Sequence, residues 1–145
     1  MILFSSALEL PESKIIIMNS LIIDTAQDKI FLTLIVDKNI YTCSHENSKI
    51  NIEKIIILVN DFLKANKNSL SEISAIYINR GPGSFAGIRN SLAMIKALHL
   101  TTNIDYYCFS FSDFDSLNET KHEDVPNLCK KFKIKKNLIN PIYLS

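Results

Sequence analysis

The chain holds three glycines, and they stand together as Gly81, Gly83 and Gly87. They fall in the run Gly81-Pro82-Gly83-Ser84-Phe85-Ala86-Gly87, between an apolar β-branched stretch and a stretch with helical spacing. Glycine permits positive φ and close backbone approach, and Pro82 fixes φ between two of them. Ser84 is placed to cap the helix that follows. Two chemistries suit such a corner. Exposed N–H groups at a helix N-terminus can cradle a phosphate, or the corner can be a tight connection packed against a neighbouring helix. The Lys-Ser/Thr pair of a P-loop is missing. Gly87 in the first helical turn costs up to about 1 kcal/mol relative to alanine, so something should approach it closely. Arg89 opposes the helix dipole by about 0.3–1 kcal/mol, which calls for an acidic partner or a bound anion unless it is a solvated surface arginine. Asp24 closes an apolar strand, where a carboxylate can meet metal or phosphate. The turn after it, Thr25-Ala26-Gln27-Asp28-Lys29, holds no glycine to let amides approach phosphates. A structural hydrogen-bonding role is therefore expected for Asp24, with a vestigial phosphate-site acid as the alternative.

Other chemistries find little support. Cys43, Cys108 and Cys129 are odd in number and form no CxxC pair, as expected of free thiols in a reducing cytoplasm. His45, His99 and His122 form no HxxxH or HExxH set, so no metal site is expected. The net charge of +1 gives no general attraction to nucleic acid or membrane. No apolar run nears the ~20 residues that span a bilayer. Five lysines between 130 and 136 could contact RNA, but Phe132 alone offers stacking there, and a solvated face is the simpler reading.

The elements that would hold these residues follow from periodicity. Strands are expected at 20–24, 29–36, 40–44, 73–79 and 104–108. A helix capped by Asn51, with Glu53 in its first turn, should carry Ile52, Ile55, Ile56, Val59, Phe62 and Leu63 on its apolar stripe, with Ile57 and Leu58 outside it. A second helix should run from Phe85 to Leu100. The order β-β-β-α-β-α-β implies an α/β fold with a mixed five-stranded sheet and crossover helices, a ribonuclease-H-like core. Residues 112–137 read as a polar linker or loosely packed tail, and 139–145 as an added edge strand. Residues 1–17 are expected to be an N-terminal extension, either dispensable or wrongly assigned to the protein, because Met18 directly precedes a clean strand.

The segment 79–89, NRGPGSFAGIR, resembles the GRGPGSFTGxR signature of the TsaB family, paralogues of the tRNA-modifying enzyme TsaD in the actin-like ATPase superfamily. LIIDTA at 21–26, SLAMIKALHL at 91–100, CFSFSDF at 108–114 and PIYLS at 141–145 are similar to family segments in the same order. The resemblance covers 18–114 and the last residues, so 18–114 is expected to be the family's N-terminal domain and 115–145 a remnant of the second domain or a tail. Departures are Asn51 for a usual histidine, Ala86 for the threonine of GSFTG, and Ser145 for a closing arginine. The histidine pair by which TsaD holds metal is not matched.

The resemblance implies a non-catalytic, cytoplasmic subunit that supports a TsaD-like protein in transferring threonylcarbamoyl to the tRNA adenosine next to the anticodon. A TsaE-like ATPase would join the assembly, and the chain alone would form a homodimer. Contact with tRNA would be indirect, and no cofactor would bind this chain, ATP or adenylate being handled by partner subunits. The partner-binding surface would be a helix pair, expected at Ile55, Ile56, Val59, Phe62, Leu92, Ala93, Met94 and Ala97, with the small residues allowing close approach. The competing readings are a reduced ATPase or kinase-like nucleotide-binding protein using Asp24 and the glycine loop, and an RNA-binding accessory module using the lysines.

Overall fold

The computed structural model describes residues 18–115 and 119–143. The expected extension at 1–17 and Ser145 lie outside them. Strands β1 (Asn19–Asp24), β2 (Lys29–Val36) and β3 (Asn39–Glu46) form an antiparallel meander. Helices α1 (Lys49–Glu53) and α2 (Ile55–Ala65) lead to β4 (Ala75–Asn79), and α3 (Phe85–Thr102) leads to β5 (Asp105–Phe109). β4 lies parallel to β1, pairing Ser20 with Ala75 through Ile23 with Ile78, and β5 lies parallel to β4. The spatial order β3-β2-β1-β4-β5 makes the expected mixed sheet of a ribonuclease-H-like α/β fold.

The central strands β1 and β4 are covered on both faces, which is why their middles, Leu21 to Ile23 and Ala75 to Ile78, are apolar. Leu21, Ile23, Ile76 and Ile78 meet Ile55, Val59, Phe62, Ile88, Leu92 and Ile95 of the helices. On the opposite face, Ile22, Ala75, Tyr77 and Phe109 meet a layer from beyond residue 110.

That second layer is the main departure from the sequence expectation. Residues 119–137 are not a loose tail. A 3-10 turn at His122–Asp124 runs into α4 (Val125–Lys131), which buries Val125 and Cys129 against the sheet. The segment looked solvated because its apolar residues are few and flanked by charge. Pro126 in the first turn suits a helix start, because the N–H it lacks would have no intrahelical partner. After α4, Asn137 donates to the carbonyl of Tyr106 at 2.8 Å, and its side-chain oxygen accepts from the Tyr106 N–H at 2.9 Å. A single bridge joins Tyr107 to Lys136. The edge strand expected at 139–145 is not formed over the described residues 139–143. Instead the Ile142 N–H meets the Arg80 carbonyl at 2.8 Å.

The helix boundaries also differ in detail. Ser48, not Asn51, caps the first helix: its Oγ accepts from the Asn51 N–H at 3.2 Å. The Asn51 side chain reaches back to the Glu46 carbonyl at 2.9 Å. Glu53 is then the last residue of α1, away from the favourable end of the dipole. A break at Lys54 restarts the helix, and α2 places Leu58 in the core while Ile57 stays exposed. α3 ends with Asn103 in the left-handed conformation, φ 61°, where asparagine can stand in for glycine. His99 Nδ1 lies 2.7 Å from the Ile104 carbonyl at the same junction.

Two measurements follow from this packing. Val125→Asp places a carboxylate under α4 and should destabilise the domain by about 3 kcal/mol, read by thermal or urea unfolding. A neutral result would mean that the segment does not pack. Burial pushes the thiols of Cys108 and Cys129 from 9.0 up to about 12, and the Tyr77 phenol from 10.0 to about 12. Above pH ~9 the unfolded chain releases protons that the folded chain keeps, so stability should be full below that pH and fall as pH rises toward 12. Denaturant midpoints across this range check the sign. A thiol reagent should label Cys108 and Cys129 in native protein only slowly.

Candidate functional site

The C-terminal ends of β1 and β4 bring Asp24 and Asn79 together beside the glycine loop. Asp24 is fully buried, and its carboxylate is surrounded by donors from the chain itself. Oδ1 accepts from the Ala26 N–H at 3.0 Å and from Asn79 Nδ2 at 3.1 Å. Oδ2 accepts from Gln27 Nε2 and pairs with His122 Nε2 at 2.7 Å. A buried carboxylate needs such partners, because an unpaired one carries a large desolvation cost. His122 is itself held between the rings of Phe31 and Phe111, at 5.2 and 5.7 Å between centroids.

Asn79 passes the constraint to the loop, since its Oδ1 accepts from the Gly81 N–H at 2.9 Å. The Gly81–Pro82 peptide is cis. Ser84 caps α3 as expected, its Oγ accepting from the Gly87 N–H at 3.2 Å, while its own N–H donates to the Ala26 carbonyl at 2.7 Å. Thr25 Oγ1 donates to the Gly87 carbonyl at 2.7 Å and lies 3.0 Å from Ser91 Oγ.

Each glycine is explained by a close approach. A Cβ on Gly83 would overlap the Ala26 carbonyl, one on Gly87 the Thr25 carbonyl, and one on Gly81 the Ile142 carbonyl. Gly81 and Gly83 also have φ of 108° and 158°. The positions nearest these glycines are filled by the chain's own backbone, as in a tight structural corner. Pro82 and Phe85 are exposed at its rim. Arg89 is exposed too, its guanidinium 5.2 Å from the Phe85 ring centre. Among the described residues no carboxylate forms an ion pair with it. The Phe85 ring also meets Tyr143 at 4.8 Å.

Sequence reasoning missed several of these residues. Arg80 grips Asp113 with two nitrogens, at 2.6 and 3.3 Å, and its third nitrogen reaches the Asn140 carbonyl at 3.0 Å. It thereby ties the glycine loop to the end of the chain. Thr25, Asn79 and His122 were missed as well. Asn79 stands at a strand end directly before Arg80-Gly81, a placement that could have signalled a loop anchor. Nothing in the sequence near His122 points to Asp24, 98 positions away.

The helix pair divides the residues expected at a partner surface. Ile55, Val59, Phe62 and Leu92 are buried in the core. Ala93 and Ala97 are exposed and Ile56 and Met94 half-buried. Those four, with Ile52, Ile55 and Leu98, line an open groove of about 560 Å³ between α1–α2 and α3. In the lysine cluster, Lys136 pairs with Asp105 at 3.6 Å, and Lys131 lies over the Phe132 ring. Among the described residues no group of three or more metal-binding side chains assembles, and no helix is long and apolar enough to cross a membrane.

A family model, TsaD: tRNA N6-adenosine threonylcarbamoyltransferase, matches residues 45–129, more than half of the chain. The chain belongs to the TsaB/TsaD family. It is 34% identical to the tRNA threonylcarbamoyladenosine biosynthesis protein TsaB of Buchnera aphidicola subsp. Baizongia pistaciae, over 48% of this chain and 38% of that protein. It is 32% identical to the Escherichia coli K12 protein of the same name, over 57% and 36%. YeaZ from Pseudomonas aeruginosa superposes with a TM-score of 0.59 at 22% identity, over 64% of this chain and 44% of that one, which shows the shared fold. The chain thus spans less than half the length of the relatives it matches.

Replacing Asp24 tests the role of its carboxylate. Asp24→Ala strands four donors and should cost about 2–4 kcal/mol, and His122→Ala about 1.5–3 kcal/mol. A double-mutant cycle should show coupling of about 0.5–3 kcal/mol. A rise in melting temperature for Asp24→Ala would mark the acid as strained for function instead. Gly87→Ala should cost about 1–3 kcal/mol through overlap with the Thr25 carbonyl.

Proposed function

We propose that the chain is a non-catalytic scaffold subunit that binds a TsaD-like enzyme during threonylcarbamoylation of the tRNA adenosine next to the anticodon. The observation that carries this reading is the saturation of Asp24. Both oxygens are engaged by the chain's own donors, and the glycine loop is closed on the chain's own carbonyls. A reduced ATPase or kinase would need that carboxylate and those amides free for phosphate and metal. The open apolar feature beside them is the groove of Ile56, Ala93, Met94 and Ala97, whose small residues permit close approach of a partner helix. In this reading ATP and adenylate are handled by partner subunits, a TsaE-like ATPase joins the assembly, and tRNA is met through the enzyme. The same groove closes a homodimer when the partner is missing.

Capture by a TsaD-like protein, measured by co-purification and titration calorimetry, tests this reading. Ala97→Glu places a charge in the groove and should weaken capture at least about tenfold, or ~1.4 kcal/mol, with the melting temperature preserved. Val59→Asp should instead unfold the domain, because Val59 is fully buried. Undiminished capture by Ala97→Glu, or hydrolysis of ATP by the chain alone, would overturn the proposal.

A further inference from the structure

The two faces of the sheet are covered unequally. α2 and α3 span one face, whereas α4 has only seven residues on the other. Beside α4 a cavity of about 720 Å³ opens over the start of β1 and the end of β2. Ser20, at its floor, is four residues from Asp24 along β1, or about 13 Å, so the cavity is separate from the glycine corner.

Its lining has a definite chemical character. Tyr77 and Tyr107, opposite each other on β4 and β5, stack at 5.0 Å between centroids and 11° between planes. Ile35 and Ile134 add apolar wall. At the mouth stand Lys38, Lys130 and Lys133, against Asp37 and Glu123. Lys133 holds a left-handed φ of 54° just past the end of α4, a place where glycine is common, so a long cationic side chain stands where none is needed for the turn. The volume lies within the range of small-molecule sites, which pair apolar walls with a few charged groups. Three ammonium groups against two carboxylates favour one anionic group and disfavour a polyphosphate. Aromatic walls favour a flat ring.

We infer that this cavity is a binding site for a small planar aromatic molecule carrying one anionic group, its ring against the Tyr77–Tyr107 pair and its charge at Lys130 and Lys133. The site is independent of the scaffold reading, because the helix groove lies on the other face of the sheet.

Titration calorimetry with four probes tests it: 1-naphthyl phosphate, AMP, 1-naphthol and inorganic phosphate. 1-Naphthyl phosphate should bind saturably, and naphthol and phosphate each at least about tenfold more weakly. The double substitution Lys130→Gln and Lys133→Gln should weaken the aromatic anion at least about tenfold and leave naphthol unchanged. Ala97→Glu, in the helix groove, should change nothing. Comparable binding of AMP would identify a nucleotide as the natural class, and its failure beside bound naphthyl phosphate a simpler aromatic acid. Tyr107→Leu should weaken both aromatic anions; if it unfolds the domain, the lysine pair still decides. No saturable binding of either aromatic anion, phosphate binding as tightly as naphthyl phosphate, or affinity unchanged by the lysine substitutions would overturn the inference.

Discussion

A carboxylate with no access to water must find its hydrogen bonds inside the protein, and Asp24 draws four of them from three places. The Ala26 amide and the Gln27 side chain come from the turn after β1, Asn79 from the end of β4, and His122 from the turn before α4. Satisfying one charge therefore fixes the separation of two parallel strands and the docking of a segment nearly a hundred residues away. It also sets the Thr25 and Ala26 carbonyls against which Gly87 and Gly83 pack. The direction of α3 follows from that contact. The opening between α3 and the α1–α2 pair follows from the direction of α3.

A second polar contact works in the same sense at the other side of the loop. Arg80 holds Asp113 through two nitrogens and the Asn140 carbonyl through the third. Charge-assisted, two-point contacts of this kind fix orientation as well as distance. Asp113 also accepts from the Ser110 N–H at 2.7 Å, closing the turn after β5. Between them, Asp24 and Arg80 connect the glycine corner to the turn after β5, the turn before α4 and Asn140. The layer over the second face of the sheet is thus held by polar anchors and by the apolar side chains of Phe114, Val125 and Cys129, with Leu128, Phe132 and Ile134 half-buried beside them. So thin a layer leaves room for the cavity above Tyr77 and Tyr107.

The parts of this arrangement that sequence made legible are those governed by short-range rules. Alternating or continuous apolar runs marked all five strands to within two residues at their ends. Ser84 before a helical period marked the start of α3. Gly87 in a first turn marked a close approach. The first helix was less legible, because Ser48 and Asn51 both fit a cap. The choice fell to Ser48 once the Asn51 side chain was taken by Glu46 at the end of β3. The stripe of α2 was misjudged at Leu58 because the break at Lys54 lets α2 set its own phase. The same limit explains the partner surface: apolar residues at helical spacing include those that face the sheet, and periodicity does not separate them from those that face outward.

Sequence by itself determined the strands, the two helical regions, the corner between β4 and α3, and the family, because each is written in residues close together along the chain. Tertiary structure alone decided that the glycine corner is filled by the chain's own carbonyls, that Asp24 is met by Asn79 and His122 from far along the chain, and that the polar segment after β5 is a layer of the fold. It also decided which apolar helix residues remain open to a partner. These outcomes depend on which groups meet across long separations in sequence, and a buried charge takes whichever donors the fold brings within about 3 Å of it.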